Sequence, residues 1–240
     1  MTALFISDLH LCPTRPEIGR LFLRFLAGPA REAEALYILG DLFEYWAGDD
    51  DLGDPFNADI CAALRGLSDA GTPVFFMAGN RDFLVGDAFA VVAGLTFLPD
   101  PFIADIGGTA TLLMHGDTLC TDDAAYRQFR AKVRSAEWRR TFLAQPLTGR
   151  KAQIEVLRRE SEAQKRIKPM EIMDANPQAV AQALREHGCT RLIHGHTHRP
   201  ARHLHEIDGR QCERWVLPAW YESGGYLACD GSGCRAVTYR

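Results

Sequence analysis

Short apolar runs, each closed by a small cluster of polar residues, recur along this chain and set its predicted architecture. Ala3-Leu4-Phe5-Ile6, Ala35-Leu36-Tyr37-Ile38-Leu39, Val74-Phe75-Phe76-Met77 and Thr111-Leu112-Leu113-Met114 each read as a strand buried on both faces. Between them the period changes: Ile18, Leu21, Phe22 and Phe25 recur at helical spacing over Pro16 to Ala27, and further helices are expected near Phe56 to Asp69 and Pro177 to His187. Strands alternating with helices, with polar residues delivered at strand ends, predict an α/β layered fold. Short strands are expected between Phe97 and Ile106. Four alternating segments (His203 to Ile207, Arg214 to Leu217, Gly225 to Cys229, Ala236 to Tyr239) predict a closing β-sheet.

Residues 122–168 break this rhythm. No strand pattern runs through them, and Tyr126, Phe129, Val133, Ile154 and Leu157 fall at helical spacing. Two to four helices are expected there, inserted as a cap into a core made of residues 1–121 and 169–240. Charge sets the same stretch apart: from Tyr126 to Lys168, 13 Lys or Arg face 4 Glu, a net of +9, while the whole chain carries −4. Such a segment reads either as a device for anionic ligands or surfaces or as a solvated helical face. The acidic loop from Glu44 to Pro55 reads as surface rather than as a metal site.

At 240 residues the chain can bury one large core plus an insertion, and 47% hydrophobic with 24% charged residues is ordinary for a globular domain. Seven cysteines without a C-x-x-C pair predict reduced thiols in the cytoplasm. The N-terminus lacks a signal-peptide pattern and no run is long enough to span a bilayer, so any membrane contact is expected to be peripheral. The negative overall charge argues against nucleic acid as a partner.

The polar clusters carry the chemistry. They are Asp8-Leu9-His10, Gly40-Asp41, Gly79-Asn80-Arg81-Asp82, His115-Gly116-Asp117 and Gly195-His196-Thr197-His198. Carboxylate, imidazole and carboxamide donors suit Mn²⁺, Fe²⁺, Zn²⁺ or Mg²⁺ rather than thiolate-loving ions. Together the clusters supply ligands for two ions, and a bridging carboxylate can hold two cations about 3.5–4 Å apart to clamp a phosphate. His194 is expected to face the core, and His187, His203 and His205 to be surface or core residues.

Five such motifs in this order resemble the calcineurin-like metallophosphoesterases. The resemblance implies a layered β-sandwich flanked by helices and two divalent ions, Mn²⁺ foremost. It places Asp8, His10, Asp41 and His198 on one metal, and Asp41 as the bridge, Asn80, His115 and His196 on the other. Asp82 and Asp117 would orient neighbours. Most of that family carries His where this chain has Arg81, and an arginine cannot protonate an alkoxide leaving group. A phosphate leaving group needs no proton, its second pKa being about 6, so Arg81 points to cleavage within a diphosphate.

With that substitution, Gly79-Asn80-Arg81-Asp82-Phe83-Leu84, His115 through Asp123, Ile172-Met173-Asp174-Ala175-Asn176-Pro177 and His194 through Pro200 resemble the family that hydrolyses UDP-2,3-diacylglucosamine in lipid A biosynthesis. This implies attack of metal-activated water on the α-phosphorus, giving UMP and 2,3-diacylglucosamine 1-phosphate. Asp41, Asn80, Arg81 and His196 would be catalytic, and Asn80, Arg81, Asp123, Ser161, Lys165, Lys168 and His196 would meet the substrate. It also implies peripheral attachment to the cytoplasmic side of the inner membrane and no obligate protein partner. Phe129, Trp138, Phe142, Leu143, Leu147, Ile154 and Leu157 either line an acyl groove or pack the cap helices together. Two other readings stand beside this one: a metallophosphoesterase for another nucleotide diphosphate or phosphodiester, and a scaffold without catalysis. A scaffold would have lost ligand positions, and here each is filled.

Overall fold

The computed structural model describes residues 2–167 and 174–240, the side chains of 162–167 excepted. The first half of the chain holds strands β1 (Ala3–Ile6), β2 (Ala35–Leu39), β3 (Val74–Met77), β4 (Thr96–Phe97), β5 (Phe102–Ile106) and β6 (Thr109–Met114). The second holds β7 (Arg191–His194), β8 (Ala201–Ile207), β9 (Arg210–Val216), β10 (Gly224–Asp230) and β11 (Gly233–Tyr239). Helices α1 (Pro16–Ala27), α2 (Pro55–Asp69) and α3 (Asp87–Ala93) lie among the early strands. Helices α4 (Ala124–Val133), α5 (Ala136–Leu143), α6 (Leu147–Ile167) and α7 (Pro177–His187) separate β6 from β7. Sequence periodicity anticipated all of these helices except α3.

The strands form two sheets, ordered β11-β10-β1-β2-β3-β4 and β5-β6-β7-β9-β8. The four C-terminal strands therefore make no sheet of their own. β10 pairs antiparallel with β1 and β9 pairs parallel with β7, so each pair extends a sheet whose edge would otherwise lie open.

Alternation along each strand sorts the side chains into layers. In β1, Leu4 and Ile6 join the helix-covered core with Phe22, Phe25, Leu64 and Phe89, whereas Ala3 and Phe5 face the second sheet. In β6 and β7, Leu113 and Ile193 meet Phe5 and Met77 between the sheets, and Leu112 and Leu192 pack outward on Val180 and Leu184 of α7. Both faces of these strands are buried, which is why they read as unbroken apolar runs. The result is a helix–sheet–sheet–helix sandwich.

Local chemistry closes the elements. Asp54 caps α2 by accepting from the Phe56 amide at 3.0 Å, and Asn176 caps α7 by accepting from Gln178 and Ala179 at 2.9 and 3.2 Å. The expectation of reduced thiols fails at one place. Cys229 and Cys234 face each other across the β10–β11 hairpin and are bonded, because the strand register sets them opposite.

The basic helices between β6 and α7 bear on two readings that the sequence left open. Several of their cations are used inside the molecule: Lys151 Nζ lies 2.7 Å from Asp51, Arg158 Nη2 lies 2.9 Å from Glu44, and Arg150 pairs with Asp50. The acidic loop is thus the bed on which α6 lies, not a free surface. Phe142, 2% exposed and stacked 4.6 Å from Trp138, belongs to the helix-side core rather than to a groove, and Ile154 packs against the same core. Of the apolar candidates, Phe129, Trp138 and Leu157 do line a cavity of about 340 Å³, together with Val133 and Val156.

Because Phe142 fills core, Phe142→Ala is expected to cost about 3–5 kcal/mol of stability. Urea unfolding followed by circular dichroism measures this. A loss below about 1 kcal/mol would return Phe142 to the groove.

Candidate metal centre

Strands β1, β2 and β3 run parallel in one sheet and β6 and β7 run parallel in the other, so five strand ends meet at a single edge. Backbone bonds stitch the loops there: Asp8 N donates to Gly40 O at 3.1 Å, His10 N to Asp41 O at 3.0 Å, and Gly195 N to His115 O at 2.9 Å. Of the six non-glycine residues with positive φ among the described residues, five are Asp8, His10, Asp41, His196 and His198. That conformation costs about 1–3 kcal/mol each and persists only where the surroundings impose it. Here it turns alternate side chains of each loop toward one point. Two glycines make room. A Cβ on Gly79 would strike the Asp41 carboxylate, and one on Gly195 would strike Ser7 and Asp8.

The side chains converge in two groups. Asp8, His10 and His198 offer ligand atoms within 4.8 Å of one another, as do Asp8, Asp41 and His115. Asp41 reaches toward both, with Oδ2 3.9 Å from His10 Nε2 and Oδ1 3.8 Å from His115 Nε2. Asn80 Oδ1 lies 3.0 Å from His115 Nε2 and 2.8 Å from His196 Nδ1, which brings Asn80 and His196 to the second group. The structure therefore brings together all seven residues expected to hold metal. Asp8, expected on one ion alone, stands beside both groups.

Neighbours hold these rings from behind. His115 Nδ1 donates to the Leu39 carbonyl at 2.9 Å, which leaves Nε2 facing inward. Tyr221 Oη lies 2.6 Å from His198 Nδ1 and leaves that ring's Nε2 toward Asp8, 3.2 Å away. Asp82 is wholly buried and accepts from the amides of Gly79 at 2.7 Å and Leu42 at 2.8 Å, so it ties the loops after β2 and β3 together. Asp117 accepts from Tyr126 Oη at 2.7 Å and Arg130 Nε at 2.6 Å, which anchors α4 to the site. His194, expected to face the core, is buried and its Nδ1 donates to the Gly195 carbonyl at 2.8 Å.

Arg81 sits at the rim. Its amide donates to Asp41 Oδ1 at 2.8 Å, and its guanidinium lies 3.7 Å from Glu44 Oε1. Asp123, expected at the substrate, caps α4 by accepting from the Tyr126 amide at 3.0 Å. Ser161 is half-buried on α6. Lys168 and the motif residues Ile172 and Met173 lie outside the described residues, as does the side chain of Lys165. Glu44 and Tyr221 were missed by sequence reasoning. Glu44 looks like any acid of its loop, and Tyr221 lies outside every motif.

Electrostatics show how badly this cluster needs cations. Burial raises Asp41, the Asp82 and Asp8 charges add to that, and the carboxyl is pushed up to about 7 despite the opposing pull of His115. Burial alone would also raise Asp8, but its bond and charge with His198, and the charges of His115 and His10, hold it below the usual carboxylate range. His115 is depressed by burial and yet pushed up to about 9 by Asp41, Asp117 and Asp8. Packed carboxylates of this kind retain protons that divalent cations can displace. The donor set, two buried carboxylates with four imidazoles and one carboxamide, fits such ions.

A calcineurin-like phosphoesterase family model matches residues 1–200. The chain belongs to that family. Proteins called UDP-2,3-diacylglucosamine hydrolase are similar along nearly its whole length. The protein of that name from Aromatoleum aromaticum is 56% identical, with 97% of this chain and 95% of that one covered. Those from Klebsiella pneumoniae and Azotobacter vinelandii are each 51% identical, covering 95% and 100% of this chain and 94% and 99% of theirs. The family implies divalent metal ions, and the two clusters are where this calcineurin-like chain has residues to bind them. Among the described residues no helix is long and apolar enough to cross a membrane.

Below their raised pKa values Asp41 and His115 keep protons that a metal must displace, so Mn²⁺ affinity of the metal-free protein should rise from pH 6 to pH 9. Calorimetric titrations in buffers of different ionisation enthalpy should show protons released on binding. Affinity independent of pH would place the metal away from this pair.

Proposed function

We propose that the chain hydrolyses the diphosphate of UDP-2,3-diacylglucosamine, with water attacking the α-phosphorus to give UMP and 2,3-diacylglucosamine 1-phosphate. The observation that carries this reading is Arg81 at the rim of the Asp, His and Asn cluster, where a guanidinium stands at the position of the family's usual proton donor. The relatives' shared name supports the same substrate. Two divalent ions, Mn²⁺ foremost, would be held by Asp8, His10, Asp41 and His198 and by Asp41, Asn80, His115 and His196. Bound there, such ions lower the pKa of water and neutralise phosphate charge.

The remaining work belongs to the chain. Asn80 and His196, hydrogen-bonded to each other, present donors beside the reacting phosphate. Arg81 is fixed by its own amide on Asp41 and offers a fork that matches phosphate oxygens. It stabilises charge on a leaving group that departs as phosphate and needs no proton. Asp123, Ser161, Lys165 and Lys168 would contact the rest of the substrate. Residues 122–168 act as a cap over a core of 1–121 and 169–240, and the cavity lined by Phe129, Val133, Trp138, Val156 and Leu157 takes acyl carbon. Each methylene buried there contributes about 0.8 kcal/mol. The exposed Phe129 and Val156, with the basic charge of residues 126–168, suit peripheral attachment at the cytoplasmic side of the inner membrane.

The direct test is incubation of purified protein with UDP-2,3-diacylglucosamine and Mn²⁺ in ¹⁸O-water. UMP and lipid product should appear together, with the label in UMP. Label in the lipid phosphate would mean attack on the other phosphorus, and no turnover would favour another nucleotide diphosphate.

Arg81→Ala should lower turnover by about 10²–10³, as expected for a lost electrostatic donor. Arg81→His should not restore it, since the leaving group takes no proton. Full activity of that variant on the natural substrate would overturn the leaving-group argument.

A further inference from the structure

Glu44 lies three residues past Asp41 and is not a ligand in either metal group, yet its two oxygens face different parts of the molecule. Oε2 lies 3.3 Å from His10 Nδ1 and 3.8 Å from Arg15 Nη2. Oε1 lies 2.9 Å from Arg158 Nη2, 3.1 Å from Arg158 Nε and 3.7 Å from Arg81 Nη1. Its side chain is only 13% exposed. The contact with His10 is an ion-pair approach on the ring nitrogen that points away from the centre, since Nε2 is the atom turned toward Asp41 and His198.

We propose that Glu44 is a positioning residue that ties α6 to the metal centre. One oxygen holds His10 with Nδ1 protonated, which directs the Nε2 lone pair at the metal. The other seats Arg81 for the diphosphate and is itself held by Arg158 from α6. Three arginines, Arg15, Arg81 and Arg158, surround the carboxylate beside His10. The backbone supports the placement: Leu11 N donates to Leu42 O at 2.8 Å and Glu44 N to Leu11 O at 3.0 Å, so the segments carrying His10 and Glu44 run together. The Arg81 half of this proposal rests on the diphosphate reading, whereas the His10 half does not.

The test is Mn²⁺ binding to the metal-free full chain by calorimetry, at fixed pH and salt and without substrate. Glu44→Gln keeps the shape and removes the charge, and should weaken Mn²⁺ binding about tenfold, the lower end for loss of a group orienting a metal ligand. Arg158→Gln loosens α6 without touching His10, and should not weaken Mn²⁺ binding. Glu44→Asp keeps the charge but is too short to serve both ends, and should also bind Mn²⁺ less tightly; it carries the test if Glu44→Gln does not fold. Parent-like affinity in either folded Glu44 variant overturns the proposal. So does an Arg158→Gln loss as large as that of Glu44→Gln, because the helix contact alone would then set the metal site. Metal affinity without substrate is independent of which diphosphate is cleaved, so failure here and failure of the substrate reading give different results.

Discussion

Two carboxylates buried side by side organise this molecule. Asp8 and Asp41 follow adjacent parallel strands, and both are buried from solvent. Burial of unpaired charge is among the most costly things a fold can contain, and the protein answers by surrounding the pair with imidazoles and amide donors. His196 N donates to Asp8 at 2.9 Å and Arg81 N to Asp41 at 2.8 Å. Burial pushes the Asp41 carboxyl up and the surrounding carboxylates push His115 up, so protons compete with cations at this pair.

The rest of the architecture is the support that such a cluster demands. Left-handed backbone at Asp8, His10, Asp41, His196 and His198, spread over three loops, is unfavourable in isolation. They are held because their loops leave strands buried on both faces and are crossed by Asp82, whose carboxylate collects the amides of two loops. Rigidity of the sandwich is thereby converted into fixed ligand directions.

Charge is arranged on the same plan at larger scale. The helices between β6 and α7 are strongly basic and the loop after β2 is strongly acidic, and the two meet through Arg150, Lys151 and Arg158. Exposed pairs of this kind contribute little singly, but Glu44 and Arg150 are largely buried and Phe142 is anchored in the core beneath. The helices between β6 and α7 are therefore held against the loop after β2 by packing and by charge together. Arg134, which donates to the Gly79 carbonyl at 2.8 Å, adds a direct tie to the loop carrying Asn80 and Arg81.

The strands β1, β2, β3 and β6, the helices α1, α2 and α7, and the seven ligand candidates were legible from the chain alone. Burial on both faces forces continuous apolar runs, and metal chemistry forces Asp, His and Asn at their ends. Arg81 was legible as a member of the cluster after β3, and its amide does donate to Asp41. Other features have no local signature. The split of the last four strands between two sheets, the Cys229–Cys234 bond and the burial of Phe142 depend on which strand or helix each segment meets. Glu44 and Asp51 are acids in one acidic loop, and only the approach of α6 and of His10 separates their roles. Residue type determined which side chains can bind a metal; long-range packing decided which charges face one another across it.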